Sequence, residues 1–158
     1  MDELAKSVGE RLKREGAVLV TAESCTGGWA AQAVTSIAGS SDWFDRGYVT
    51  YSNDAKRELL GVRAETLTRH GAVSEETARE MAQGALSRGK ATLALAITGV
   101  AGPTGGSPTK PVGTVCFAWA TKRGARVETR RFSGDRESVR RQSVIHALEG
   151  VMQTLDGA

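Results

Sequence analysis

Ser41, Tyr51 and Lys56 place a hydroxyl, a phenol and an amine within sixteen positions, with no histidine among them. A serine hydroxyl becomes a useful nucleophile only when a base removes its proton. A lysine amine desolvated in a pocket can be that base, with a tyrosine relaying or orienting the proton. The serine falls in a flexible turn, the tyrosine near a strand end and the lysine one turn into the following helix, so the three can meet at one edge of a sheet. On spacing alone, a turn serine and a surface lysine remain the plainer account of the set.

A second group lies in the turn Ser24-Cys25-Thr26-Gly27-Gly28, between a strand and a helix. Free backbone N–H groups and the helix dipole favour an anion there, and glycine lets a ligand approach the backbone closely. Ser24, Thr26, Gly27 and Gly28 are therefore candidates to hold a phosphate, although such turns also arise from plain packing. No Gly-Lys-Ser/Thr follows, so this is not a Walker loop. Cys25 at a helix start can have a lowered thiol pKa and act as a nucleophile, against the blander reading of a small buried residue. Gly99 and Gly102 belong to a Gly- and Pro-rich loop after a buried strand, where its amides would emerge at a sheet end that commonly holds ligands. Arg136 and Arg140, four apart on one helical face, suit a phosphate or a carboxylate.

The elements that must position these groups follow from periodicity. Leu4, Val8 and Leu12 mark a first helix stopped by Gly16, and the short apolar run 17–22 predicts a strand that leads into the glycine turn and a helix over 29–37. Residues 46–51 read as the next strand. Ser52 or Asn53 caps a helix over 54–60 that Gly61 ends, residues 65–70 make a brief helical turn, and Ser74 caps a helix to about Arg88. The run 92–98 predicts a buried strand, 112–120 and 126–132 two strands paired antiparallel, and the stretch after Asp135 a last amphipathic helix. This alternation indicates an α/β fold with a mixed sheet covered by helices on both faces.

A chain of 158 residues is expected to form one domain around one sizeable core. Its apolar runs are too short to cross a bilayer, and the start Met-Asp-Glu-Leu-Ala-Lys does not read as a secretory signal, so the expected compartment is the cytoplasm. Cys25, Cys116, His70 and His146 offer no zinc spacing, and no metal site is expected. The formal charge of +3 and the aromatic content of 5% argue against nucleic acid as a partner. The local excess Arg130, Arg131, Arg136, Arg140 and Arg141 reads either as a solvated basic face or as an anion site.

Taken in order, Thr21-Ala-Glu-Ser-Cys-Thr-Gly-Gly28, Gly39-Ser-Ser41, Val49-Thr-Tyr-Ser-Asn53 with Lys56, Gly71-Ala-Val-Ser74, Thr98-Gly-Val-Ala-Gly-Pro103, Lys110-Pro-Val-Gly-Thr114 and Gly134-Asp-Arg136 closely resemble the CinA C-terminal domain family over nearly the whole chain. The resemblance implies a nicotinamide mononucleotide deamidase, which releases ammonia and nicotinate mononucleotide with no cofactor. It implies Ser41 as nucleophile with Tyr51 and Lys56 beside it, an arginine of the last helix (Arg136, or Arg140) as a substrate ligand, and a homodimer. Larger members fuse this unit to a domain resembling molybdopterin-binding proteins, and functions tied to that domain are not carried over. Two alternatives stay open: a module that binds a pyridine nucleotide without acting on it, and an amidase that depends on Cys25.

Overall fold

The computed structural model describes residues 1–157. Its elements are α1 (Asp2–Glu15), β1 (Leu19–Glu23), α2 (Trp29–Thr35), β2 (Phe44–Val49), α3 (Asn53–Leu60), α4 (Ala64–His70), α5 (Glu75–Ser87), β3 (Leu93–Gly99), β4 (Thr114–Thr121), β5 (Gly124–Arg131) and α6 (Arg136–Leu155). Capping follows the expected chemistry: Ser52, Ser74 and Asp135 each accept a backbone N–H three residues on, at the starts of α3, α5 and α6. Strand limits move by a few residues. β2 begins at Phe44 and ends at Val49, and the hairpin closes more tightly than expected because Gly124 already pairs with Thr121.

The five strands lie in the order β2-β1-β3-β4-β5. β2, β1 and β3 are mutually parallel, while β4 and β5 return antiparallel. Alternate residues of the buried strands feed two cores. Leu95, Ile97, Phe117 and Trp119 face α1, α2 and α6, packing on Val8, Leu12, Val34 and Leu148. On the other side Ala94, Ala96, Ala118 and Ala120 meet Ala78, Met81 and Ala82 of α5. The small residues on that face let α5 approach the sheet closely. The mixed sheet is thus covered by helices on both faces, as the sequence indicates.

Strand direction positions the site. Glu23, at the carboxyl end of β1, is level with Val49 of β2 and with Ile97 of β3. The segments that leave these three strands therefore emerge together at one edge, where open α/β sheets bind ligands. The amino ends lie at the far edge, where Leu19 pairs with Phe44 and its N–H donates to the carbonyl of Trp43 at 2.8 Å.

Candidate active site

Lys56 sits in the first turn of α3 with only 1% of its surface exposed. Its Nζ lies 2.9 Å from Ser24 Oγ, 2.8 Å from the carbonyl oxygen of Thr50 and 3.2 Å from that of Tyr51. Burial disfavours the ammonium and lowers the lysine pKa to about 8. Ser24, itself buried, is the first residue beyond β1. Both groups stand where they do because each follows the carboxyl end of a parallel strand: Ser24 directly, and Lys56 after Thr50, whose N–H donates to the carbonyl of Glu23 at 2.8 Å. A neutral amine has two N–H bonds and one lone pair. The two carbonyls take the N–H groups, and the lone pair is left for the hydroxyl of Ser24.

Ser41 does not join this group. It lies in a short 3₁₀ turn, Ser40–Asp42, just before β2, and it is exposed at the amino edge of the sheet. The six residues of β2 separate that edge from Thr50 by roughly 20 Å at the usual rise per residue. The expected meeting of Ser41 with Lys56 fails for this reason, and the serine that meets the lysine is Ser24.

Tyr51 joins the site through its backbone. Its carbonyl faces Lys56, while its side chain is 63% exposed and its hydroxyl accepts from Arg136 Nη2 at 3.3 Å. A proton relay through the phenol of Tyr51 is absent from this arrangement. Arg136 also donates through Nη1 to the carbonyl of Gly102 at 2.8 Å, so it spans the segments leaving β2 and β3. Gly102 has φ +85, and a Cβ there would strike Val112. Gly99 is a packing residue, because a Cβ would come within 2.8 Å of Val115 Cγ2.

The turn after Ser24 is organised from within the protein. Glu23 is fully buried, and its carboxylate accepts from Thr26 Oγ1 at 2.6 Å, from Ala30 N at 2.8 Å and from Ala31 N at 3.1 Å. The start of α2 is thus occupied by an internal anion where a phosphate was expected. Thr26 is wholly buried, its hydroxyl held by Glu23 and its carbonyl by Arg140, so its side chain is a structural part of the turn. Gly27 and Gly28 have φ values of +60 and +104, a left-handed course that side chains resist. Nothing in the sequence marks Glu23, since an acid at the end of an apolar strand carries no pattern that announces burial.

The sequence pattern of the CinA C-terminal domain matches residues 1–155. The chain belongs to that family. Among relatives of this CinA C-terminal domain is the "Nicotinamide-nucleotide amidohydrolase PncC" of Escherichia coli strain K12, 57% identical over 152 residues, which make up 96% of this chain and 92% of that protein. A protein of the same name from Pseudomonas putida is 54% identical over 95% of this chain and 94% of its own. The crystal structure of competence/damage inducible protein CihA from Agrobacterium tumefaciens is similar with a TM-score of 0.94 and 48% identity, covering 98% of this chain and 94% of that one.

Two further features bear on how this CinA C-terminal domain is read. The thiol of Cys25 is buried and pushed up to about 12, first by desolvation and then by the charge of Glu23, so it stays protonated and gives a poor nucleophile. A surface cavity of about 870 Å³ lies at the opposite edge of the sheet. It is lined by Arg79, Thr92, Lys122 and Arg126, among others, and none of the groups around Lys56 touches it. The groups that could react converge instead at the Ser24 edge.

Proposed function

We propose that this chain hydrolyses the carboxamide of nicotinamide mononucleotide to nicotinate mononucleotide and ammonia, with Ser24 as nucleophile and Lys56 as its base. The observation that carries the reading is the 2.9 Å contact between Lys56 Nζ and Ser24 Oγ, made where burial brings the amine toward its neutral form. The names of the relatives supply the substrate. A lysine forced toward neutrality beside a hydroxyl has no evident use in a module that only binds.

The sequence of steps follows from these atoms. Lys56 takes the proton of Ser24 as the serine oxygen attacks the carboxamide carbon, and the carbonyl oxygen becomes an oxyanion. The amide of Cys25, immediately after the nucleophile, donates to no backbone carbonyl among the described residues and is available to it. The lysine ammonium then gives its proton to the departing nitrogen, which leaves as ammonia, and an ester on Ser24 remains. A water molecule repeats the attack with Lys56 again as base, releasing the carboxylic acid and restoring the hydroxyl.

Arg136, exposed at the rim and bridging Tyr51 to Gly102, is the cation placed to anchor the phosphate and hold the amide over Ser24. Incubation of purified protein with nicotinamide mononucleotide, scoring ammonia and the acid product, tests the reading. Release by the wild type with none from Ser24→Ala is expected. Equal release from both would overturn the assignment of the nucleophile.

A further inference from the structure

Two side chains of opposite charge grip the turn that carries Ser24. From α6, Arg140 donates through Nε to the carbonyl of Cys25 at 3.0 Å and through Nη2 to the carbonyl of Thr26 at 3.2 Å. Its guanidinium lies 5.5 Å from the ring centroid of Trp29. From β1, the carboxylate of Glu23 holds the Thr26 hydroxyl and the amides of Ala30 and Ala31.

We propose that Glu23 and Arg140 are a pair of positioning residues that act on the reaction only by holding the Ser24–Gly28 turn and the start of α2 in place, and that neither contacts the substrate phosphate. The proposal rests on the reading of Ser24 as nucleophile. A phosphate at the start of α2 would draw on the amides of its first turn and on the fork of Arg140. The amides of Ala30 and Ala31 are taken by Glu23, that of Trp29 by the carbonyl of Thr26 at 3.0 Å, and Nε and Nη2 of Arg140 by two carbonyls. A carboxylate withdrawn from water is costly unless it is hydrogen-bonded, and here three donors and a helix start replace the water.

The grip has a mechanical result. A trans peptide is planar, so turning the Cys25 carbonyl toward Arg140 points the N–H of Thr26 away from it, and the same holds for the Thr26 carbonyl and the Gly27 N–H. Gly27 N–H in turn donates to the carbonyl of Ser24 at 3.0 Å, which closes the turn back onto the nucleophile. Two successive peptide planes after Ser24 are therefore fixed in rotation, and with them the direction from which its oxygen faces Lys56. The planar fork of arginine can bridge two carbonyls at once, whereas a lysine ammonium cannot reproduce that geometry.

The test compares Arg140→Lys and Glu23→Gln with wild type on nicotinamide mononucleotide and on the riboside that lacks phosphate. Both variants are expected to lose kcat by the same factor on each substrate, on the order of 100-fold for an ångström-scale misplacement, with KM little changed. Arg136→Ala is expected instead to raise KM for the nucleotide alone. A loss in the Arg140→Lys protein confined to the phosphorylated substrate, or an unchanged kcat, overturns the proposal. Labelling of Ser24 by a fluorophosphonate gives a second readout that needs neither substrate, and it is made on variants whose thermal midpoint matches wild type. A slower labelling rate in Arg140→Lys is expected, and an undiminished rate counts against the grip. Should the wild type label at Ser24 yet release no ammonia, the deamidase reading falls while the labelling rates still judge the grip. A wild type that does neither overturns both.

Discussion

Lys56 Nζ stands 2.9 Å from Ser24 Oγ, while Ser41 occupies the other edge of the same sheet. The two serines therefore separate by mutation. Ser24→Ala is expected to abolish ammonia release, a loss of roughly 10⁶-fold in kcat on the precedent of a removed serine nucleophile. Ser41→Ala should retain wild-type turnover within the error of the assay. A dead Ser41→Ala enzyme with an unchanged fold would reverse the assignment.

The acidity of Lys56 sets the pH dependence of the reaction. The active form is the neutral amine, so kcat/KM should rise about tenfold per pH unit on the acid side and level off above the lysine pKa of about 8. Replacing Lys56 with Met should remove about 10²- to 10⁴-fold of the rate and erase this limb. A profile that is flat from pH 6 to 9 would show that some other group, or none, is the base.

The same proton also reports on folding. In the unfolded chain Lys56 titrates near 10.5, and in the folded one near 8. Between these values the unfolded state binds the extra proton, so stability should climb as pH rises from about 8 to about 10.5 and, on this account, stay level below 8. Denaturant midpoints across that window should show the climb in wild type and a flatter trend in Lys56→Met. Parallel curves for the two proteins would mean that the lysine titrates normally.

Gly84 of α5 lies against the end of α3, and a Cβ there would run into the carbonyl of Leu60. Gly84→Ala gains about 1 kcal/mol of helix propensity. Overpacking opposes that gain with roughly 1–3 kcal/mol and a shift of α3. Because α3 carries Lys56, kcat should fall along with the melting temperature. A variant as stable and as active as wild type would show that α3 can move without cost.

Much of the fold was legible in the sequence. The apolar alternation, the cap at Ser74, one of the two candidate caps at Ser52 and Asn53, and the glycine stops at Gly16 and Gly61 all reappear in the structure, because each reflects a local rule. The choice between two serines was less so, since proximity in sequence joined Ser41 to Lys56. Strand direction separates them: a residue after a parallel strand and a residue before one stand at opposite edges, whatever their distance along the chain. Glu23 and the backbone contacts of Arg140 lay further out of reach. They depend on which peptide groups are left without partners once the turn has closed, and residue type alone does not reveal that.

The groups that attack the substrate and those that hold it come from distant stretches of the chain. Ser24 directly follows β1 and Lys56 lies in α3, whereas Arg136 begins α6, eighty residues beyond Lys56. During synthesis, a chain still emerging from the ribosome has its nucleophile and base translated long before Arg136 exists. Catalytic competence is in this sense a late event, reached only when α6 docks and closes the distance between the two ends of the polypeptide.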